Sequence, residues 1–241
     1  MEKFALITGA SGGIGTAIAR QLAKDGYSLL LHYNQNEETV IALKEELKGT
    51  VQTILLIRAD LSQQKGIESF LNQVSVPIDV LIHNSGNTLP GLITDHHNED
   101  IDDMIHLHVT APYKITKALL PSMIRKKEGN IVVISSIWGL TGASYEVLYS
   151  MVKGAQNTFV KALAKEVALS GIRVNAVAPG AIQTKMLSNY TEEDLVMLTE
   201  EIPMGRLGYP EEVAQAVSFL ISNRSSYVIG EVLSVNGGWY T

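Results

Sequence analysis

Tyr149 and Lys153 stand four residues apart in YSMVK, and Ser136 precedes the tyrosine by thirteen residues in IVVISSIWG. On a helix, a spacing of four puts tyrosine and lysine on one face, one turn apart. An ammonium beside a phenol favours the phenolate and draws its pKa down from about 10. Such a tyrosine can exchange a proton with an alcohol or a carbonyl. A serine just past a strand can hydrogen-bond the same oxygen. Taken alone, Tyr-x-x-x-Lys is equally a surface pair on a helix.

A second chemical feature opens the chain. TGASGGIG at 8–15 follows the apolar run KFALIT and precedes a helical pattern of Ile14, Ala17, Ile18 and Leu22. Gly9 permits a tight turn, Gly13 lets backbone approach a phosphate, and Gly15 lets the helix pack on the strand. The helix N-terminus then offers free N–H groups and partial positive charge to a pyrophosphate. The spacing is G-x-x-x-G-x-G. It is not a P-loop, because Thr16 stands where Gly-Lys-Ser/Thr is required. A plain strand-to-helix turn is the other reading.

The elements that must position these residues are legible as alternation. KFALIT, YSLLLHY, VQTILLIRA, DVLIH, NIVVIS, IRVNAVA and EVLSVN read as strands. Helical patterns lie between them near 13–25, 36–48, 62–75, 98–127, 146–169 and 210–222. Strands that are apolar throughout imply burial on both faces. The expected fold is α/β: a Rossmann-type doubly wound parallel sheet of about seven strands, in a single domain over 1–241. Pro112 and Pro121 predict a kinked or divided helix in 98–127. Residues 180–209 form a long connection, of which 185–209 reads as a lid. DVLIHNSG, IVVISSIWG and VNAVAPGAIQT end at strand C-termini, where open α/β sheets bind ligands.

Composition narrows the classes. The 241 residues carry a net charge of −6, which argues against nucleic acid or an anionic membrane as main partner. Cysteine is absent, so disulfides, thiolate metal sites and cysteine nucleophiles are excluded. No secretory or membrane-spanning run is visible, and the cytoplasm is the expected compartment.

In combination, TG-x-x-x-G-x-G at 8–15, Asp60 after the third strand, NSG at 84–86, Ser136, Tyr149, Lys153 and PG-x-x-x-T at 179–184 resemble the short-chain dehydrogenase/reductase family. The resemblance covers essentially the whole chain. It is greatest to the bacterial 3-oxoacyl-[acyl-carrier-protein] reductase branch, on the C-terminal VNGGWY and the compact length. It implies that Gly9, Ser11, Gly13, Ile14 and Gly15 hold a dinucleotide and that Asp60 and Leu61 contact its adenine. Asn84 would stabilise the sheet and, with Gly86, line the cofactor site. Tyr149 would donate a proton to a ketone, Ser136 would hold its oxygen, and Lys153 would bind ribose hydroxyls and tune Tyr149. Pro179, Gly180, Ile182 and Thr184 would frame the nicotinamide. A homotetramer is implied, with Leu233, Val235 and Trp239 in a buried C-terminal end.

The chain departs from the family pattern in informative places. The family's asparagine on the long central helix, which kinks it and helps hold a water leading to the lysine, aligns with His108. An imidazole there is either a retuned proton relay or a packing residue. NNAG reads HNSG, with His83 and Ser85. His96, His97 and His106 lack helical ligand spacing with one another or with His108, so no metal is expected. Tyr33 holds the position after the second strand where NAD-users carry an acid, followed by Asn34 and Gln35. That favours NADP(H) over NAD(H), with Asn34 near the 2′-phosphate, although Gly12 stands where many NADP-users carry arginine.

The oxoacyl branch docks an acidic acyl carrier protein on basic residues. Arg125, Lys126 and Lys127 offer one such run or a solvated helix end. The second family arginine aligns with Ser170, with Arg173 nearby. Met186, Leu187, Tyr190, Leu195, Met197 and Leu198 make the lid apolar, suited to an acyl chain. Three functions stand open: an NADPH-dependent 3-oxoacyl reductase, a dehydrogenase of another secondary alcohol, and a nucleotide-binding regulatory protein.

Overall fold

A computed structural model describes residues 2–188 and 190–241. Seven strands form one parallel sheet: β1 (Phe4–Ile7), β2 (Ser28–Tyr33), β3 (Ile54–Arg58), β4 (Val80–His83), β5 (Gly129–Ile134), β6 (Ile172–Pro179) and β7 (Val232–Val235). Their spatial order is β3-β2-β1-β4-β5-β6-β7, every neighbouring pair parallel. The order reverses between β1 and β4, the place where an open α/β sheet leaves a crevice at its C-terminal edge.

Side-chain alternation divides the core in two. Ala5, Ile7, Leu29, Leu31, Val80 and Ile82 face one way; Leu6, Leu30, Leu81, Ile131 and Val133 face the other. Ala5 pairs with Leu29 and Val80, so the register aligns the same parity across strands. Helices α1 (Gly13–Lys24), α2 (Glu37–Glu46) and α9 (Pro210–Ile221) cover the first face. Helices α3 (Gln64–Gln73), α5 (Ala111–Lys126) and α7 (Val147–Val167) cover the second, with the short α6 (Trp138–Thr141) just ahead of α7. β1, β2 and β4 are buried throughout and β5 and β6 but for one residue each, while the edge strands β3 and β7 are only partly buried.

The segment 98–126 is not divided by its prolines. α4 (Asn98–Ile105) runs through a π-helical turn, His106–Thr110, directly into α5. The wider turn admits Pro112, whose ring and missing N–H are incompatible with a regular i→i−4 ladder. Pro121 lies inside α5 without ending it. The lid region holds a 3₁₀ turn (Lys185–Leu187) and α8 (Glu192–Glu200), capped by Thr191 and Asp194. Leu233, Val235 and Trp239 are half-buried within the chain, not fully buried, and Trp239 meets Trp138 edge-on at 5.0 Å. Among the described residues, no helix is long and apolar enough to cross a membrane.

Candidate active site

The C-terminal edge of the sheet brings the separate motifs together. From β1 the chain enters the glycine turn, and Asn84, just past β4, pins it. The Asn84 side-chain amide donates to the Thr8 and Gly9 carbonyls at 3.0 Å each, and its backbone N–H donates to Thr8 Oγ1 at 2.9 Å. A Cβ on Gly15 would lie 2.2 Å from the Gly9 carbonyl oxygen, and one on Gly13 2.9 Å from Thr184 Cγ2. Gly9 has φ +66°. Gly9 and Gly15, closed in by backbone, require glycine, while at Gly13 the Thr184 side chain would have to shift. Gly12 is under no such demand: its φ is −78°, and a Cβ would meet only the Gly9 carbonyl, at 3.5 Å.

α1 begins with no side-chain cap and no acid in its first turn. That leaves the helix terminus for an anion, so the residues present fit a dinucleotide pyrophosphate. Thr184 closes against Gly13, and Gly180 lies where a side chain would strike Asn236 of the C-terminal VNGG, so the 179–184 loop is braced from both sides. Ile182 pairs with Gly208 at the lid's far end. Asp60, after β3, accepts from the backbone N–H and hydroxyl of Ser62 at 3.0 and 2.8 Å, and Leu61 is buried beside it. Ser11 and Ile14 are half-buried on the turn, and Asn34 is exposed past β2.

Sequence reasoning missed His32, which sits on β2 as one polar residue in an apolar strand. Gly9 N–H donates to its Nδ1 at 3.0 Å, which fixes the proton on Nε2, and that nitrogen donates to the Ala59 carbonyl at 3.1 Å. His32 therefore ties the glycine turn to the end of β3. Burial lowers its pKa to about 4, and that of His83, which bonds Thr116 at 2.8 Å, to about 3. Their folded pKa values lie below the ordinary 6.5. The stability they permit is complete above pH 6.5 and falls as pH drops toward 4 and 3. The expected loss from His32 alone is on the order of 2–3 kcal/mol by pH 4. Thermal melts from pH 7 to 4 check this; a His32→Gln variant is expected to melt lower at pH 7 and to show a flatter pH dependence.

Ser136, Tyr149 and Lys153 meet between β5 and α7. Ser136 follows β5, buried, and accepts from Trp138 N–H at 3.2 Å. Burial pushes the Tyr149 phenol up to about 12, Ser136 pulls it down, and Glu146 adds to the rise. Burial lowers the Lys153 ammonium to about 7. The expectation that lysine draws the phenol downward is thus not met: desolvation raises it, and the bond with Ser136 lowers it only in part. The Lys153 ammonium donates to the Ile134 carbonyl at 2.8 Å and lies 5.4 Å from the Tyr149 ring centre. Glu146, one turn earlier, accepts from Thr88 through both oxygens and ties the loop after β4 to the start of α7.

His108 is fully buried, and its ring packs edge-on against Tyr149 at 5.9 Å. Its Nε2 faces the Asn87 carbonyl at 3.0 Å, and its Nδ1 has no partner among the described residues. Burial, then Lys153, hold its pKa well below 6.5, so it is neutral. Gly86 makes room for it, since a Cβ there would lie 2.7 Å from His108 Cε1.

Two basic residues expected near a docking patch are engaged elsewhere. Arg173 donates to the Leu220 and Ser222 carbonyls at the end of α9, and Lys126 pairs with buried Asp79. Arg58 was also missed. It stands opposite Tyr33 in the β2–β3 register, exposed and without an ion pair among the described residues, while the Tyr33 hydroxyl donates to Glu37 at 2.6 Å.

The family model described as enoyl-(acyl carrier protein) reductase matches residues 9–240. The uncharacterized oxidoreductase YmfI of Bacillus subtilis is 54% identical, with all of both chains covered. The 3-oxoacyl-[acyl-carrier-protein] reductase FabG of Escherichia coli is 35% identical over 99% of this chain and 97% of its own. Among solved structures, YwfH, an NADPH-dependent reductase involved in bacilysin biosynthesis, superposes with a TM-score of 0.92 at 26% identity, covering 100% of this chain and 99% of its own. With the glycine turn, the serine, tyrosine and lysine at one sheet edge, and a full-length match to these proteins, the chain belongs to the short-chain dehydrogenase/reductase family of oxidoreductases.

Proposed function

We propose that the protein reduces a ketone to a secondary alcohol with NADPH, and that its substrates are 3-oxoacyl thioesters. The observation that carries this reading is the convergence of Tyr149, Ser136 and Lys153 between β5 and α7, at the sheet edge that the uncapped glycine turn also borders. A bound dinucleotide supplies the hydride. The protein supplies the proton and the orientation: Ser136 holds the ketone oxygen, Tyr149 donates its proton to that oxygen as negative charge develops, and Lys153 stabilises the phenolate that remains. A phenol with a raised pKa is protonated at neutral pH and so ready to donate to the ketone oxygen.

The thioester reading draws support from the exposed apolar side chains of the lid, Met186, Tyr190, Val196 and Met197, and from the name of the Escherichia coli relative. Of the basic run only Arg125 and Lys127 stand without an ion pair among the described residues. An acyl carrier protein would therefore be docked weakly, and carrier-bound and pantetheine-type thioesters are expected to react with kcat/KM within about tenfold of each other. Tyr113 and Met151, exposed on α5 and α7, offer an apolar face for assembly into a homotetramer. Steady-state rates on a panel of 3-oxoacyl thioesters, sugars and cyclic ketones with both cofactors test the substrate class; turnover confined to the sugars or cyclic ketones would overturn it.

For the cofactor, Arg58 supplies a cation near the end of β2, while Glu37 opposes a 2′-phosphate. Gly12→Arg is expected to fold normally, given the open space there, and to tighten NADPH about tenfold while leaving NADH unchanged. Arg58→Gln is expected to weaken NADPH alone. Nucleotide fluorescence titration checks both.

A further inference from the structure

The π turn leaves a carbonyl that needs a partner. Pro112 stands four residues after His108 and has no N–H, so the His108 carbonyl lacks its α-helical donor. The Gln156 side-chain amide fills that role from α7, donating through Nε2 at 2.7 Å. Its Oε1 accepts from the Lys153 ammonium at 3.3 Å. The chemistry fixes the amide's orientation, because a carbonyl cannot donate and an ammonium cannot accept. Gln156 is 4% exposed, so this polar group is buried with both ends satisfied.

We propose that Gln156 is a positioning residue for the reduction, bridging the Lys153 ammonium to the His108 carbonyl and so holding the ammonium beside Tyr149. The bridge takes the place that the family resemblance gives to a water. It also explains why a histidine is tolerated at position 108: the link runs through main chain, and the imidazole turns away toward Gly86 and Asn87. The ammonium has three donors. One goes to Ile134, one to Gln156, and one remains for the Tyr149 side.

The groups that face Lys153 are few. The π turn contributes neutral His108, α7 contributes Tyr149, and β5 contributes the Ile134 carbonyl; Glu146 acts on Tyr149. Removing the Gln156 acceptor makes the charged lysine harder to keep, and a carboxylate in its place makes it easier.

This inference rests on the proposed role of Tyr149 and Lys153. The test combines a carbon-13 lysine NMR titration of Lys153 with the pH profile of kcat, in wild type, Gln156→Leu and Gln156→Glu. The Lys153 midpoint is expected to fall by at least half a unit in the leucine variant and to rise in the glutamate variant. The alkaline limb of kcat is expected to move with it in each. At pH 7, kcat of Gln156→Leu is expected to drop about tenfold with the NADPH dissociation constant within twofold of wild type. Midpoints that stay at the wild-type value, or move the same way in both variants, would overturn the bridge and leave Gln156 a packing residue. If the leucine variant does not fold, the nearly isosteric glutamate variant decides by the same titration. Tyr149→Phe separates the two claims: full activity in that variant sinks the reductase mechanism, whatever the lysine titration shows.

Discussion

Tyr149→Phe is expected to lower kcat by roughly 10²–10⁴-fold and to leave NADPH binding within about twofold of wild type. The change removes one oxygen and keeps the ring. The edge-on packing on His108 and the Lys153 ammonium over the ring both survive it, so the fold does too. What is lost is the phenolic proton proposed to go to a ketone oxygen held by Ser136. The pH dependence follows from the same geometry. The phenol, at about 12, stays protonated across the working range, so it sets no limb near neutrality. Lys153, at about 7, loses its charge as pH rises, and kcat/KM, which reports the groups of the free enzyme, is expected to fall on that side as kcat does for the complex. Stopped-flow NADPH oxidation measures the rate, and nucleotide fluorescence measures the binding.

Gly15→Ala is the second large effect. A methyl group there would lie 2.2 Å from the Gly9 carbonyl, 2.8 Å from the Asn84 amide nitrogen and 2.9 Å from Ala10 Cα. Two of these are backbone atoms of the tightest turn in the site, and the third is the amide that pins it. Nothing there can yield without moving α1 off β1. The variant is expected to lose about 3 kcal/mol of stability or more and, where it folds, to bind NADPH at least a hundredfold more weakly. Gly12→Ala is the control: its new methyl meets one atom at ordinary contact distance, and no change in stability or binding is expected. Urea titration and nucleotide fluorescence report on both variants.

Much of this was readable beforehand because local pattern and global fold agree. Strands apolar on both faces, separated by amphipathic helices, leave little besides a doubly wound parallel sheet, and all seven strands lie where the apolar runs put them. The chemical motifs were legible for the same reason: they fall at strand ends, and the topology collects strand ends at one edge. Long-range pairing was not legible. His32 reads in sequence as a polar interruption of LLLHY; its bond to Gly9 depends on which strand lies beside β1. Gln156 reads as one more polar residue on a helix, and only the crossing of α7 with the π turn gives its amide two partners. The two prolines signalled a disturbance in the central helix but not its form, because a π turn absorbs a missing N–H without interrupting the helix. The ionisation of Tyr149 was misjudged since the lysine's spacing is visible in sequence and its desolvation is not.

The most direct test mixes the wild-type protein, preloaded with one equivalent of NADPH, with a short 3-oxoacyl thioester in a stopped-flow instrument. A single exponential loss of reduced nicotinamide absorbance, stoichiometric with enzyme, is expected, with formation of the 3-hydroxyacyl product. Tight NADPH binding with no oxidation, by this thioester or any other ketone, would contradict it and leave a nucleotide-binding protein without the proposed chemistry.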